Sequence, residues 1–566
     1  MRLTVSPFLI MLLLLGGALR AEESIPHLRR QGEATQLIVQ GKPLLIRGGE
    51  LGNSSGEPAY LRPFWPRLKA LNLNTVLAPV YWELLEPTEG KFDFSILDGL
   101  LSDARANQMH LVLLWFGVWK NSMSTYAPAW VKHDTKRFPR SQDSAGKGLD
   151  ILSPFAAETR QTDGKAFRAL LRHLREVDQK EQTVVLVQVE NEIGMIPEAR
   201  DHSEEAERQF HAPVPAALFE YFAKNADTLA PEMRDGWVAH GKKTAGTWSE
   251  VFGPGPATDE IFMAWHFAQF AGHLAAQGKA EYPLPMYVNA ALIRPGHKPG
   301  QNPSAGPLPH LFDVWRAGAP ALDFLAPDIY FTNFMEWARK YARYGNPLFI
   351  PEAMRSQDAA VNGLYAIAGL NAIGFSPFGI ESVGEPAGKY LAGSFDLIDQ
   401  LTPLILEHQG RGTMTAMLPE GPEQRQPQQI WLGGYVLHVA FEKTASFDLA
   451  DGVVPAAATP VAPPTGGLVI ATGPDEFLIA GMGITTTFQL REPNASQVGL
   501  LSVEEGRFVD GQWTHLRWLN GDQTNQGRHV RNEPGRFTIQ RVKLPVPLRP
   551  AAAYERPASP TVAPMR

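Results

Sequence analysis

The chain has 566 residues, 44% of them hydrophobic and 20% charged, with a formal net charge of −7 and no cysteine. It is too long for one ordinary domain, its composition is that of a folded protein, and it has no Lys/Arg-dense block of the kind nucleic-acid binding uses. Without cysteine there is no disulfide framework, no thiolate metal site and no lipid attachment through an N-terminal cysteine.

At the N-terminus, Arg2, the apolar run Phe8 to Leu15 and the small residues Gly16 to Ala21 read as a secretory signal peptide over residues 1–21. The run is too short and wrongly flanked for a membrane span, and no later stretch approaches the ~20 apolar residues a span needs. The expectation is an exported protein, periplasmic or secreted, with no membrane span.

Strand and helix patterns then alternate, as expected for a parallel sheet. Strand one is read over Lys42 to Gly49, followed by a helix at Arg62 to Leu71. Strand two runs from Asn74 to Tyr81 with a helix at Phe94 to Asn107, and strand three from Met109 to Phe116. A helix at Lys165 to Lys180 leads to strand four, Thr183 to Glu190. The stretch Ile193 to Ala257 is irregular, with one helix at Val214 to Leu229; loops of that length inside a compact domain usually carry function. A helix from Thr258 to Lys279 precedes strands five (Pro285 to Ala290), six (Phe324 to Tyr330), seven (Leu348 to Glu352) and eight (Ala372 to Ile380), and a helix over Phe395 to His408 closes the series. Eight strands in order is the count of a closed (β/α)₈ barrel, an α/β fold placed over residues 22–415.

Beyond it the pattern becomes all-β. Strands are expected at Ile430 to Glu442, Gly467 to Thr472, Glu476 to Leu490, Gln497 to Val503 and Phe537 to Leu544, with an Ala/Pro-rich loop at Val453 to Pro464. This reads as a β-sandwich over residues 416–548, followed by a Pro/Ala-rich tail over 549–566.

Two strands end abruptly in carboxylates. Val184 to Val189 is an apolar run broken only by Gln188, and it runs into Glu190-Asn191-Glu192; Leu348 to Pro351 runs into Glu352. Apolar runs of this kind suit strands buried on both faces, and in a barrel their C-terminal ends share the face that carries chemistry. A pair of carboxyl groups there is what glycosidic bond cleavage requires. Glu192 suits the acid/base and Glu352 the nucleophile, while Asn191 is placed to bind a sugar hydroxyl. Read alone, Asn191 would cap a turn and Glu192 sit solvated at a strand end; the buried strand before them and the partner at Glu352 favour chemistry. Glu352 also has a structural reading, an ion pair with Arg355. Tyr330 either holds Glu352 in line or is an aromatic rim residue. Asn289 is a sugar-hydroxyl ligand at the end of strand five. Of Glu83 and Glu86, one contacts substrate or braces its loop. Trp115, Trp119 and Lys120 form a stacking wall unless the rings belong to the core. Glu190 has a structural hydrogen-bonding role. The 15 histidines form no HExxH or clustered set, and neither a G-x-x-x-x-G-K-[ST] loop nor a G-x-S-x-G elbow occurs. No metal or cofactor is indicated.

The pieces Arg47-Gly48-Gly49-Glu50, Ala78 to Pro87, Gly90 to Phe94, Gln188 to Gly194 and Pro351-Glu352-Ala353 together resemble glycoside hydrolase family 35, β-galactosidases of the clan that keeps its acid and nucleophile on strands four and seven. The resemblance covers roughly residues 40–410, and is strongest to an exported bacterial branch with a short C-terminal β-domain acting on galactosylated plant polysaccharide such as xyloglucan. It implies a retaining exo-β-galactosidase with Glu192 as acid/base, Glu352 as nucleophile and no metal. Family 42 of the same clan is the nearest competitor. The strand-three segment Trp115 to Lys120 and the insertion Ile193 to Ala257 depart from the family pattern. Another β-glycosidase of the clan, or a carbohydrate-binding protein without catalysis, are the rival readings.

Overall fold

The structure, a computed structural model, describes residues 25–421, 425–442, 462–492 and 496–545. The expected signal peptide, the 549–566 tail and most of the Ala/Pro loop lie outside the described residues.

Eight parallel strands close into a barrel: β1 Ile46–Glu50, β2 Thr75–Tyr81, β3 His110–Lys120, β4 Val184–Asn191, β5 Met286–Ala291, β6 Phe324–Ile329, β7 Phe349–Ala353 and β8 Gly374–Pro377. Every residue of β2, β4 and β7 is buried, because barrel side chains cover one face and helices the other. Three long helices stand on the outside: α1 Ala157–Asp178, α2 Pro256–Glu281, which packs on α1, and α3 Ala387–His408. The 193–257 stretch holds four short helices, 204–210, 216–224, 231–239 and 248–252, where the sequence pattern suggested one. The expected helix 214–229 ends at Lys224, and Pro231 starts the next.

Strand one begins later than expected. Lys42–Leu44 belongs instead to a three-stranded antiparallel sheet with His27–Gln31 and Ala34–Val39. Leu37 and Val39 of this sheet join Ile46, Leu77, Val112, Val185 and Phe349 in one buried cluster. The small sheet therefore plugs the end of the barrel where the strands begin.

The C-terminal part forms two β-sheets, as expected of a sandwich. One has six strands and begins at Met414–Met417; the other has five and includes Gln428–Leu432, Tyr435–Phe441 and Ile484–Leu490. The single strand expected over Glu476 to Leu490 is two, Glu476–Met482 and Ile484–Leu490, one in each sheet. Gly483 between them has φ +68°, the left-handed conformation that lets the chain cross from sheet to sheet. The expected strand over Ile430 to Glu442 is likewise a hairpin, folded back at Gly433 (φ +59°). Strands Gln512–Leu519 and Val530–Asn532 lay outside the sequence expectation; both are short on the apolar alternation by which strands are read.

The six-stranded sheet is apolar on both faces. Val469, Phe477 and Ile479 face the core between the two sheets, while Leu468, Ile470, Leu478, Ala480 and Ile539 join the core of the barrel. Burying these five against the barrel is worth roughly 5–10 kcal/mol at ~1.5–3 kcal/mol for each large side chain, comparable to the whole stability of a domain. A chain ending at residue 415 is accordingly expected to aggregate or to melt more than ~10 °C below the full chain. Soluble yield and a thermal melt check this; an unchanged melting temperature would show the interface to be dispensable.

Candidate active site

The C-terminal ends of the barrel strands bring Glu50 (β1), Lys120 (β3), Asn191 and Glu192 (end of β4), Asn289 (β5), Asp328 and Tyr330 (end of β6) and Glu352 (β7) to one face. Lys120, Glu192, Asp328, Tyr330 and Glu352 of this set, with Asn121, line a pocket of about 510 Å³ that has Phe331 and Phe378 among its aromatic walls. One carboxylate oxygen each of Glu192, Asp328 and Glu352 lie within 4.8 Å of one another. Among the described residues this is the carboxylate cluster with the geometry to admit a cation; Lys120 Nζ, 3.8 Å from Glu192 Oε2, already sets a positive charge beside it.

Each carboxyl has its own surroundings. Glu192 accepts a hydrogen bond from Asn121 Nδ2, and its backbone N–H donates to Asn289 Oδ1 at 2.9 Å. Asn289 in turn donates through Nδ2 to Asp328 Oδ2 at 2.7 Å, so one amide fixes both the backbone of the first carboxyl and the side chain of the second. Tyr330 donates its hydroxyl to Glu352 Oε1. Glu352 Oε2, both side-chain atoms of Asn191 and both oxygens of Glu50 are buried without a protein hydrogen-bond partner. Buried polar atoms are rarely left so, and Glu352, which lines the pocket, is suited to a ligand hydroxyl or water.

Burial first, and the Glu352 charge second, push the Glu192 carboxyl up to about 7, against the opposing pull of Lys120. Glu352 is raised by burial, which Lys120 and the Tyr330 hydrogen bond oppose. Burial, followed by the charges of their neighbours, holds Glu50 and Asp328 well above the ordinary carboxylate range. What differs between the two facing carboxyls is the Glu352 charge acting on Glu192 and the Tyr330 hydroxyl bonded to Glu352, and such differences are what separates a proton donor from a nucleophile.

Of the residues singled out in the sequence, Glu192, Glu352, Asn191, Tyr330 and Asn289 are brought together. Trp115 and Glu83 are not. Trp115 is fully buried with its ring on the helix side of β3, donating through Nε1 to Asp163 of α1 at 2.9 Å and packing on Phe167. Trp119 is likewise core, against Phe267 and Phe270 of α2. Glu83 pairs with Lys132 at 3.3 Å and braces its loop, and the buried Glu86 accepts from Trp82 Nε1 and Gly90 N. Arg355 turns away from Glu352 to donate to Gly379 O at 2.6 Å. The sequence reading missed Asp328 and Asn121, and gave Glu50 no separate role. Asp328 carried a usable signal, a carboxylate inside the apolar strand FLAPDIY, whereas Asn121 carried none.

Residues 65–275 match the model of glycoside hydrolase family 42, described as "Beta-galactosidase". Over 214 residues the chain is 30% identical to a curated β-galactosidase of Xanthomonas manihotis, a stretch that is 36% of this chain and 32% of that protein. Over this barrel segment the chain is similar to β-galactosidase glycoside hydrolases. The chain spans about a third of the length of that curated relative. Residues 391–531, from within α3 into the sandwich, match a domain of unknown function, DUF5597. Solved structures similar to the chain include the cold-adapted β-galactosidase of Rahnella sp. R3 (TM-score 0.44, 16% identity, 64% of this chain and 57% of that one). Another is the β-galactosidase of Bacillus circulans sp. alkalophilus (TM-score 0.45, 15% identity, 64% and 57%).

The raised carboxyl at Glu192 has a consequence for stability. Its folded value of about 7 stands above the ordinary 4.5, so the folded state binds the proton more tightly than the unfolded one. The group therefore costs nothing below about pH 4.5 and destabilises progressively as pH rises through about 7. Glu192→Gln, neutral at every pH, is expected to raise the melting temperature by a few degrees at pH 8 and to leave it nearly unchanged at pH 4.5. Melts across that range check the sign; stabilisation confined to acid pH would contradict it.

Proposed function

We propose that the protein is a retaining exo-β-galactosidase that removes terminal galactose from oligosaccharides, with Glu192 as acid/base and Glu352 as nucleophile. The observation that carries the reading is the approach of their carboxylate oxygens to within 4.8 Å, with Lys120 against Glu192 and Tyr330 against Glu352. Retaining enzymes hold the two carboxyls ~5–5.5 Å apart, and inverting ones ~6.5–9.5 Å to admit a water.

In the first step an oxygen of ionised Glu352 attacks the anomeric carbon. The glycosidic C–O bond breaks, and the proton of Glu192 passes to the departing oxygen. In the second step water attacks the same carbon from the face just vacated. Glu192 takes the water's proton, the bond to Glu352 breaks, and the sugar leaves with its configuration retained. The Glu192 carboxyl, pushed up to about 7, is a proton donor near neutral pH, and turnover of unactivated substrates falls as pH rises past it.

The natural substrate we propose is a galactosylated plant oligosaccharide of the xyloglucan type. This rests on the family-35 resemblance of Arg47–Glu50, Ala78–Pro87 and Gln188–Gly194. The match of residues 65–275 is to the family-42 model, and the roles given to Glu192 and Glu352 do not depend on the choice between the two. Export rests on the sequence pattern of residues 1–21. A panel of chromogenic β-galactoside, β-glucoside, β-xyloside and α-arabinoside tests specificity, and preference for any but the galactoside overturns it. Absence of turnover on all four would favour a carbohydrate-binding protein without catalysis.

Product stereochemistry assigns the two glutamates. Glu192→Ala is expected to keep attack on activated aryl galactosides but to stall afterwards, and azide should restore turnover and give the β-galactosyl azide. Glu352→Ala with azide should give the α-azide. The reverse pattern would exchange the roles. Tyr330→Phe, which removes the hydrogen bond to Glu352, is expected to lower kcat ~10–100-fold with little change in KM.

A further inference from the structure

After a one-residue shift at Val185, β3 and β4 run in register from Val112 opposite Leu186 to Trp115 opposite Val189, and the next pair is Lys120 opposite Asn191. Between these pairs β3 has four residues, 116–119, and β4 has one, Glu190. A bulge of this size leaves backbone N–H groups without ladder partners. The side chain of Glu190 meets them: Oε2 accepts from Trp119 N at 2.7 Å, and the carboxylate also takes the Val118 N–H.

The other oxygen, Glu190 Oε1, is buried and has no ordinary donor, and neither has Asp163 Oδ2 across from it on α1. The two side chains hydrogen-bond each other, which for two carboxyls requires one shared proton. Asp163 Oδ1 is occupied by Trp115 Nε1 at 2.9 Å. Both carboxyls are fully buried, and burial raises both, Asp163 up to about 6 and Glu190 well above the ordinary carboxylate range, with Glu86 adding like charge beside Asp163. Gly117, inside the bulge, completes the fit. A Cβ there would stand 2.3 Å from Trp115 Nε1, 2.7 Å from Glu190 Oε1 and 2.9 Å from Asp163 Oδ1.

The bulge delivers the pocket. Its last residues carry Lys120 and Asn121 onto Glu192, and Asn121 N and Ser122 N bond the carbonyls of Asn191 and Glu192, each at 3.2 Å. Glu190 (φ +60°) and Glu192 (φ +45°) both hold left-handed backbone, which costs a non-glycine residue of order 1 kcal/mol or more unless its surroundings fix it.

We propose that Glu190 is a positioning residue: its carboxyl, sharing one proton with Asp163, replaces the strand-to-strand hydrogen bonds missing at the β3 bulge and so holds Lys120, Asn121 and Glu192 in their mutual positions. The inference rests on the reading of Glu192 as acid/base.

The test compares Glu190→Gln, Glu190→Ala and Gly117→Ala in the full chain. The glutamine amide donates to Asp163 and its carbonyl accepts from the bulge, so it reproduces the protonated pair. Each variant is assayed on an alkyl β-galactoside, which needs protonation to leave, and on a dinitrophenyl β-galactoside, which does not. The expected result is a loss of ~100-fold in kcat on the alkyl substrate for Glu190→Ala and Gly117→Ala, with less than ~10-fold on the activated one. Glu190→Gln should stay within a few-fold of wild type on both. Equal losses on the two substrates, or a glutamine variant as impaired as the alanine one, would overturn the proposal. Should the alanine variants fail to fold, the glutamine variant decides by itself. An infrared difference spectrum at neutral pH gives a readout without activity: Glu190→Gln should remove one protonated-carboxyl carbonyl band, and its persistence would sink the shared proton. If wild type cleaves none of the galactosides, the functional reading fails while the spectrum still judges the pair.

Discussion

Four carboxyl groups, Glu50, Glu192, Asp328 and Glu352, converge at the buried ends of four strands with one ammonium, Lys120, among them. Four like charges cannot all be held in a site removed from water, where the cost of an uncompensated ion reaches several kcal/mol. Protons must therefore be distributed over the cluster, and the surroundings decide where they sit. Burial raises both Glu192 and Glu352 and Lys120 opposes it at both; the Glu352 charge adds to the rise at Glu192, and the Tyr330 hydroxyl opposes it at Glu352.

Holding such a cluster requires a rigid frame, and the closed barrel supplies it. The strand ends are fixed by ladders on both sides, and the inner end is plugged by the N-terminal sheet through Leu37 and Val39. Outside the barrel, the six-stranded sheet of the C-terminal part places Leu468, Ile470 and Leu478 in the same core. That sheet lines none of the catalytic pocket; its contribution is to the barrel wall.

The local devices at the site are amides and bulges rather than regular structure. Asn289 ties the backbone of Glu192 to the carboxyl of Asp328, and the β3 bulge brings Asn121 to Glu192. These explain why the segment Trp115 to Lys120, a departure from the expected pattern, lies beside the carboxylate-rich end of β4. Each is irregular because it fits the other.

The sequence by itself determined the barrel, its eight strands in order, and the placing of Glu192 and Glu352 at strand ends. Apolar runs such as Val184 to Val189 are legible because a strand buried on both faces needs no polar alternation, and a carboxylate at its end is conspicuous. Asn289 and Tyr330 were legible for the same reason, as polar residues at the ends of apolar strands. Only the tertiary structure decided the rest. Trp115 belongs to the core because strand alternation places it with Leu111 and Leu113 on the helix side of β3, and Trp119 because the bulge turns it toward α2, and no sequence spacing announces a bulge. Asn121 reaches Glu192 from the neighbouring strand because the bulge shifts the register between them, which chain order does not reveal. Whether Gly483 sits within a strand or divides two depended on which sheet each half joins, a long-range pairing that local pattern does not encode.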